Sequence, residues 1–209
     1  MRIVDLLPWP RRKPPAPETL KQGVERAYSR AASHPGETHP FPVGRKFAEE
    51  VGYPPDLLDE LPPLCAESFA GVANLAVRAE IPPGARVLDL GCGSGLDSLI
   101  AAKKTGPAGQ VVGVDFSGEM LARARTAAAE AAIANAVFRQ GDAEGISEDD
   151  GSFDIVLANG IFNLNPARER VIREIARVLR PGGRLFAAEL VFTEAVAVRE
   201  VRSLDDWFS

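Results

Sequence analysis

The stretch Arg86-Val-Leu-Asp-Leu-Gly-Cys-Gly-Ser-Gly-Leu96 constrains this chain more than any other part of its 209 residues. Val87, Leu88 and Leu90 make a short apolar run of strand character, which breaks into glycines at alternate positions, Gly91, Gly93 and Gly95. Behind them Leu96, Leu99 and Ile100 fall at helical spacing, and Lys103 and Lys104 suit the last turn of a helix. A buried strand that runs into a tight turn and then a helix gathers the helix's unpaired N–H groups at one point. Glycine lets a ligand approach the backbone there with no Cβ between them. The combination predicts a site for a ligand of nucleotide size.

After Gly84 strand-like and helix-like segments alternate. Strands are predicted over 86–90, 110–114, 136–140, 153–158 and 184–189, with helices over 96–105, 117–134 and 168–179. Alternation at this spacing implies a parallel sheet covered by helices on both faces. The predicted fold is therefore α/β: a Rossmann-like, doubly wound, mostly parallel sheet with an N-terminal helical segment and a short C-terminal end. Such sheets bind ligands at the carboxyl ends of their strands, near the point where strand order reverses.

The region ahead of the alternation divides in two. Residues 1–17 hold the run Pro8-Trp-Pro-Arg-Arg-Lys-Pro-Pro-Ala-Pro17, too rich in proline for helix or sheet, and read as a flexible arm whose basic triplet is solvated. Residues 18–84 show helical spacing over 18–32 and then short helical pieces at 44–51, 55–61, 64–70 and 74–80, several of them opened by proline. That segment is expected to pack over the glycine turn as a cap and substrate region, leaving 85–209 as the ligand-binding core. The two histidines, His34 and His39, sit in a proline-rich loop without cysteine or carboxylate at ligand spacing, so no metal is expected.

Composition narrows the function classes. A net charge of −5 gives no basic footprint for nucleic acid or an anionic membrane, and no apolar run approaches a membrane span. The first residues carry Asp5 and Pro8 and make a poor signal peptide, and two cysteines do not suggest a disulfide framework. The expectation is a reduced, cytoplasmic domain acting on a small molecule, with no nucleic-acid or membrane partner; oligomeric state is left open.

Acids at strand ends sharpen the ligand. Asp115 closes the second strand, placed to accept both hydroxyls of a ribose. Gly141-Asp142-Ala143 follows the third strand, and Asn159 follows the fourth. The third glycine of the turn comes one residue early for the dinucleotide fingerprint G-x-G-x-x-G, and no Gly-Lys-Ser/Thr follows, which excludes the P-loop. Asp89, two residues before the glycines, would repel a pyrophosphate and suit a cationic ligand. A positively charged nucleoside, S-adenosylmethionine, fits these residues; a nicotinamide dehydrogenase is the rival reading of the same strand, turn and helix.

Val87-Leu-Asp-Leu-Gly-Cys-Gly-Ser-Gly95 resembles motif I of class I S-adenosylmethionine-dependent methyltransferases, and Leu179-Arg-Pro-Gly-Gly-Arg-Leu185 resembles the turn those enzymes place before strand 5. More narrowly, residues 101–120 and 158–166 resemble the arsenite methyltransferase branch. The resemblance implies that Gly91, Cys92, Gly93 and Gly95 lie at the methionine part of the cofactor, with Asp89 near its sulfonium and amino group. It places Asp115 at the ribose, Phe116 and Met120 beside the adenine, Gly141, Asp142 and Ala143 at the adenine edge, and Asn159 in the cleft wall. No catalytic residue is assigned: the protein mainly aligns an activated methyl donor, and no side chain is given the part of the base that some carbon or nitrogen acceptors need.

Two departures bear on the acceptor. That branch holds trivalent arsenic with cysteine thiolates, yet the matching positions here are Gly160 and, within Ala70-Gly71-Val72, no cysteine at all. A thiophilic ion needs two or three thiolates, so arsenite is the disfavoured alternative to an organic acceptor. After strand 5 only residues 190–209 remain, with 196–207 reading as one helix, fewer than the family uses to complete its sheet. A cofactor-binding module without turnover is the further alternative.

Overall fold

The computed structural model describes residues 17–191, with side chains from Thr19 onward. Residues 1–16 of the proline-rich arm and the helix expected over 196–207 lie outside the described residues, while Pro17, assigned to the arm, opens the first helix. The first part is helical: α1 (Pro17–Ser33), α2 (Arg45–Glu50), α3 (Pro55–Asp59), α4 (Pro63–Glu67) and α5 (Leu75–Arg78). Pro55 and Pro63 each occupy the first position of their helix, where a missing N–H costs nothing.

The alternating part follows as β1 (Arg86–Leu90), α6 (Leu96–Thr105), β2 (Gln110–Asp115), α7 (Gly118–Glu130), β3 (Ala136–Gln140), β4 (Phe153–Asn159), α8 (Arg168–Val178) and β5 (Leu179–Ala188). All five strands pair in parallel in the order β3-β2-β1-β4-β5, so the strand order reverses between β1 and β4. Two boundaries in this part differ from the sequence expectation by more than one residue. Helix α7 stops at Glu130, not near 134, because Ala132 turns left-handed at φ 51°. Strand β5 begins at Leu179, which pairs with Phe153 before the register shifts and Arg184 meets Ile155.

One face of the sheet carries Val87, Val111, Ile155 and Leu157 against α6, α7 and the small helices around Tyr53, Cys65 and Phe69. The other face carries Leu88, Val112, Phe153 and Val156 against Val171, Ile175 and Val178 of α8. Helices α1 and α4 pack on α7, and α5 packs on α6, so the helical segment sits over the carboxyl edge of β1 and its neighbours. Among the described residues no helix is long and apolar enough to cross a membrane.

Candidate active site

The turn after β1 is built by conformations that side chains resist. Gly91, Gly93 and Gly95 have φ of 72°, 52° and 88°, all left-handed. A Cβ on Gly91 would fall 2.5 Å from Ile161 Cγ2, and one on Gly95 would fall 3.0 Å from Ala124 Cβ. The amides of Gly91 and Cys92 both donate to Val114 O, at 2.8 and 3.1 Å, which folds the turn against the end of β2. The Gly93 amide donates to Asp115 Oδ2 at 2.8 Å, and the Ser117 amide donates to Asp115 Oδ1 at 2.8 Å. Two amides thus aim the Asp115 carboxylate, while burial lifts its pKa to about 6.

A cavity of about 420 Å³ opens over this turn at the switch point between β1 and β4. Gly91, Cys92, Gly93, Asp115, Phe116, Met120, Gly141, Asp142, Ala143 and Asn159 all line it. Asp89 and Gly95, also expected at the cofactor, are not among its lining residues. Asp89 is 2% exposed and accepts from Ser98 Oγ at 2.5 Å; burial, then the charges of Asp97 and Asp115, push its carboxyl up to about 8. Met120 also packs on Ala31 and Ala32, so it backs the cavity and anchors α1 together.

The structure adds cavity residues that the sequence pattern does not single out. Asp97, in the first turn of α6, accepts from the Tyr53 hydroxyl at 2.6 Å and from the Ala76 amide at 2.9 Å on one oxygen, and from Asn159 Nδ2 at 2.8 Å on the other. Burial raises its pKa despite these donors. Asn159 completes its own set by accepting from the Val72 and Ala73 amides and donating to Ala73 O. Asn159 therefore lines the cleft and ties the 71–73 loop to β4. From α1, Lys21 pairs with Asp142 and with Glu144; burial raises the Asp142 carboxyl, but Lys21 and the Glu144 amide outweigh it and hold it below its ordinary value. Tyr28, also on α1, stacks on Phe41 and meets Phe116 edge-on at 6.3 Å. Of these, Asp97, Lys21 and Tyr28 carry no signal in a local window, because each depends on partners far along the chain.

His34 and His39 do not enter the cavity; His39 Nε2 lies 3.0 Å from the carbonyl of His34. Both cysteines are buried and free: Cys65 donates to Pro62 O at 3.0 Å with its thiol pushed up to about 12 by burial, and burial raises Cys92 as well. Gly160 and Val72 stand side by side, since a Cβ on Gly160 would meet Val72 Cγ1 at 3.3 Å.

A parallel α/β sheet with a left-handed glycine turn, an acid held by two amides at the end of β2 and an acid-lined cavity at the switch point define a doubly wound fold with a ligand site of nucleotide type. The chain belongs to the methyltransferase domain family, whose model matches residues 81–207, and it is of the class I, S-adenosylmethionine-dependent kind. It is 40% identical over 128 residues to an arsenite methyltransferase of Halobacterium salinarum, covering 61% of this chain and 33% of that protein. It is 39% identical over 120 residues to nocamycin O-methyltransferase of Saccharothrix syringae, covering 57% and 43%. The crystal structure of an arsenic(III) S-adenosylmethionine methyltransferase from Chlamydomonas reinhardtii superposes with a TM-score of 0.54 at 35% identity, covering 71% of this chain and 49% of that one. The chain thus spans about a third to a half of the length of these relatives. S-adenosylmethionine is the cofactor, and the residues fit it: the cavity has the right size, the glycines leave the backbone bare, and Asp97 and Asp115 offer negative charge to a cation.

Proposed function

We propose that the chain transfers a methyl group from S-adenosylmethionine to a small organic acceptor and not to arsenite. The observation that carries this reading is that Gly160 and the segment Ala70-Gly71-Val72, which the structure brings side by side, hold no thiol where the family resemblance puts the thiolates that arsenic chemistry requires. The remaining thiols do not replace them, because Cys65 is spent on Pro62 and both cysteines are held protonated by burial. Two buried, reduced thiols also suit a cytoplasmic setting.

When bound, S-adenosylmethionine supplies a sulfonium-activated methyl for in-line displacement by the acceptor. Asp115 accepts the ribose hydroxyls, with Gly93 and Ser117 holding the carboxylate in place. Phe116, Met120, Gly141, Asp142 and Ala143 take the adenine side, and the glycine turn with Asp97 takes the methionine side, with Asp89 supporting the start of α6 from behind through Ser98 Oγ. Residues 18–84 act as the cap: Tyr28, Phe69, Ala70 and Gly71 line the cavity together with Ile161 and Leu164 and give it a largely apolar acceptor wall. Residues 85–209 supply the cofactor core. Holding the two reactants in line accounts for ~7–11 kcal/mol of barrier lowering in favourable cases, so no further acid or base is needed for a nucleophile that is already unprotonated.

Methyl-labelled S-adenosylmethionine incubated with a panel of phenols, amines and enolisable ketones tests the proposal. Label is expected in an organic acceptor, and none in arsenicals when arsenite and a thiol are supplied. Methylated arsenicals would overturn the reading. Cofactor binding without label transfer to any acceptor would favour a binding module.

A further inference from the structure

The loop that leaves β4 is seated from two sides. It runs from Gly160 to the start of α8 at Arg168, and its Ile161, Leu164 and Asn165 all line the cavity. On one side Ile161 rests on the glycine turn, with its Cγ2 2.5 Å from where a Cβ on Gly91 would stand. On the other side Glu189, the half-buried residue that follows β5, turns its carboxylate on the loop. The amides of Phe162 and Asn163 both donate to Glu189 Oε2, at 2.7 and 3.1 Å. Its neighbours add two weaker ties: the Gly160 amide donates to Ala188 O at 2.9 Å, and Asn163 Nδ2 donates to Leu190 O at 2.7 Å. A charged acceptor shared by two consecutive amides fixes their direction more firmly than a neutral one.

The place of Glu189 in the sheet says which half of the site it serves. The residues expected at the nucleoside follow β2 and β3, on one side of β1. The loop and Glu189 follow β4 and β5, on the other side. Glu189 does not line the cavity, yet its charge reaches it. Tyr28, which lines the cavity from α1, has its hydroxyl raised first by burial and then by the charges of Asp115 and Glu189.

We propose that Glu189 is a positioning residue for the methyl acceptor: by holding the Phe162 and Asn163 amides it sets where Ile161 and Leu164 stand, and so how an acceptor lines up with the methyl group. The role rests on the organic-acceptor reading given above. Glu189 touches neither reactant and acts through the loop alone.

Steady-state methyl transfer by the wild-type chain, Glu189→Ala and Glu189→Gln tests it, with the phenol, amine or ketone of the panel that takes up most label as acceptor. Glutamine still accepts both amides through its one oxygen, so it keeps the seat and drops the charge, whereas alanine drops both. Losing hydrogen bonds to a charged group, or misplacing a reactant by about 1 Å, costs roughly 10- to 100-fold. Glu189→Ala is expected to lose that factor in kcat/KM for the acceptor. Its KM for S-adenosylmethionine, and its affinity for S-adenosylhomocysteine by calorimetry, are expected to stay as in the wild type. Glu189→Gln is expected to restore most of the lost acceptor turnover. Glu189→Asp, a methylene too short for both amides, is expected to fall between the two and serves where alanine disturbs folding. Full acceptor kcat/KM in Glu189→Ala, a loss shared equally by cofactor and acceptor parameters, or no rescue by glutamine would overturn the proposal and leave the acceptor reading standing. Absence of label from every organic acceptor with the wild type would instead remove that reading, and this role with it.

Discussion

Asn159 Nδ2 lies 2.8 Å from Asp97 Oδ2, joining the last residue of β4 to the first turn of α6. Through its other contacts the pair reaches Tyr53, Ala73 and Ala76 in the helical segment, so one amide and one carboxylate hold that segment on the sheet. Asn159→Ala would strip partners from the Val72 and Ala73 amides, from Ala73 O and from one Asp97 oxygen at once. Leaving several buried groups unpaired costs about 2–4 kcal/mol, which for a domain of this size lowers the melting temperature by roughly 5–15 °C. Thermal unfolding of the variant checks this, and a fall of under about 2 °C would show that the network contributes little.

The same acids set a pH dependence. Burial and neighbouring charge raise Asp89 to about 8, and burial raises Asp115 to about 6. In the unfolded chain each returns to about 3.9. Between about pH 4 and 8 the folded chain therefore holds protons that the unfolded chain has released, and stability falls as pH rises through that window. The ligand-free chain is expected to melt at a higher temperature at pH 6 than at pH 8, with Asp89→Asn flattening the difference. A wild-type profile that is level or rises with pH would contradict it.

How far the sequence discloses this molecule depends on the range of the interactions involved. The span Leu96–Thr105 is legible to the residue because its start is a glycine turn and its end is a lysine pair followed by Gly106. The end of α7 is not, since a run of alanines carries helix propensity past Glu130 and only the left-handed Ala132 stops it. Asp115 is legible from its place at the end of a strand. Asp97 looks like an ordinary first-turn acid in a helix, and its role appears only when Tyr53 and Asn159, 44 and 62 residues away, are brought to it. Glu189 gives no local signal either, because the Phe162 and Asn163 amides that it holds lie 27 and 26 residues away.

The glycine turn admits a separation of strain from crowding. Gly91→Ala places a methyl 2.5 Å from Ile161 Cγ2 on a backbone at φ 72°. The left-handed conformation alone costs about 1–3 kcal/mol for a residue with a side chain, and the clash adds to it. Gly91→Ala is expected to abolish measurable binding of S-adenosylhomocysteine and to lower the melting temperature. Adding Ile161→Ala relieves the clash and leaves the strain, so the double variant is expected to recover part of both. No recovery in calorimetry or thermal unfolding would mean that backbone conformation by itself governs the site.

The neighbouring positions Val72 and Gly160 allow the acceptor reading to be tested by gain as well as loss. With a Cβ on residue 160 only 3.3 Å from Val72 Cγ1, cysteines at both positions would bring two sulfurs within reach of a single ion. Gly160 sits at φ 77°, so a side chain there costs about 1–2 kcal/mol, which the fold can absorb. The Val72→Cys, Gly160→Cys double variant is expected to bind phenylarsine oxide with loss of two free thiols, whereas the wild type and either single variant lose none. Intact-protein mass spectrometry reads both quantities. A folded double variant that takes up no arsenical would show that the cap and β4 hold these positions too far apart or too rigidly for a dithiolate, and uptake by the wild type would show that its own two thiols are more accessible than their burial implies.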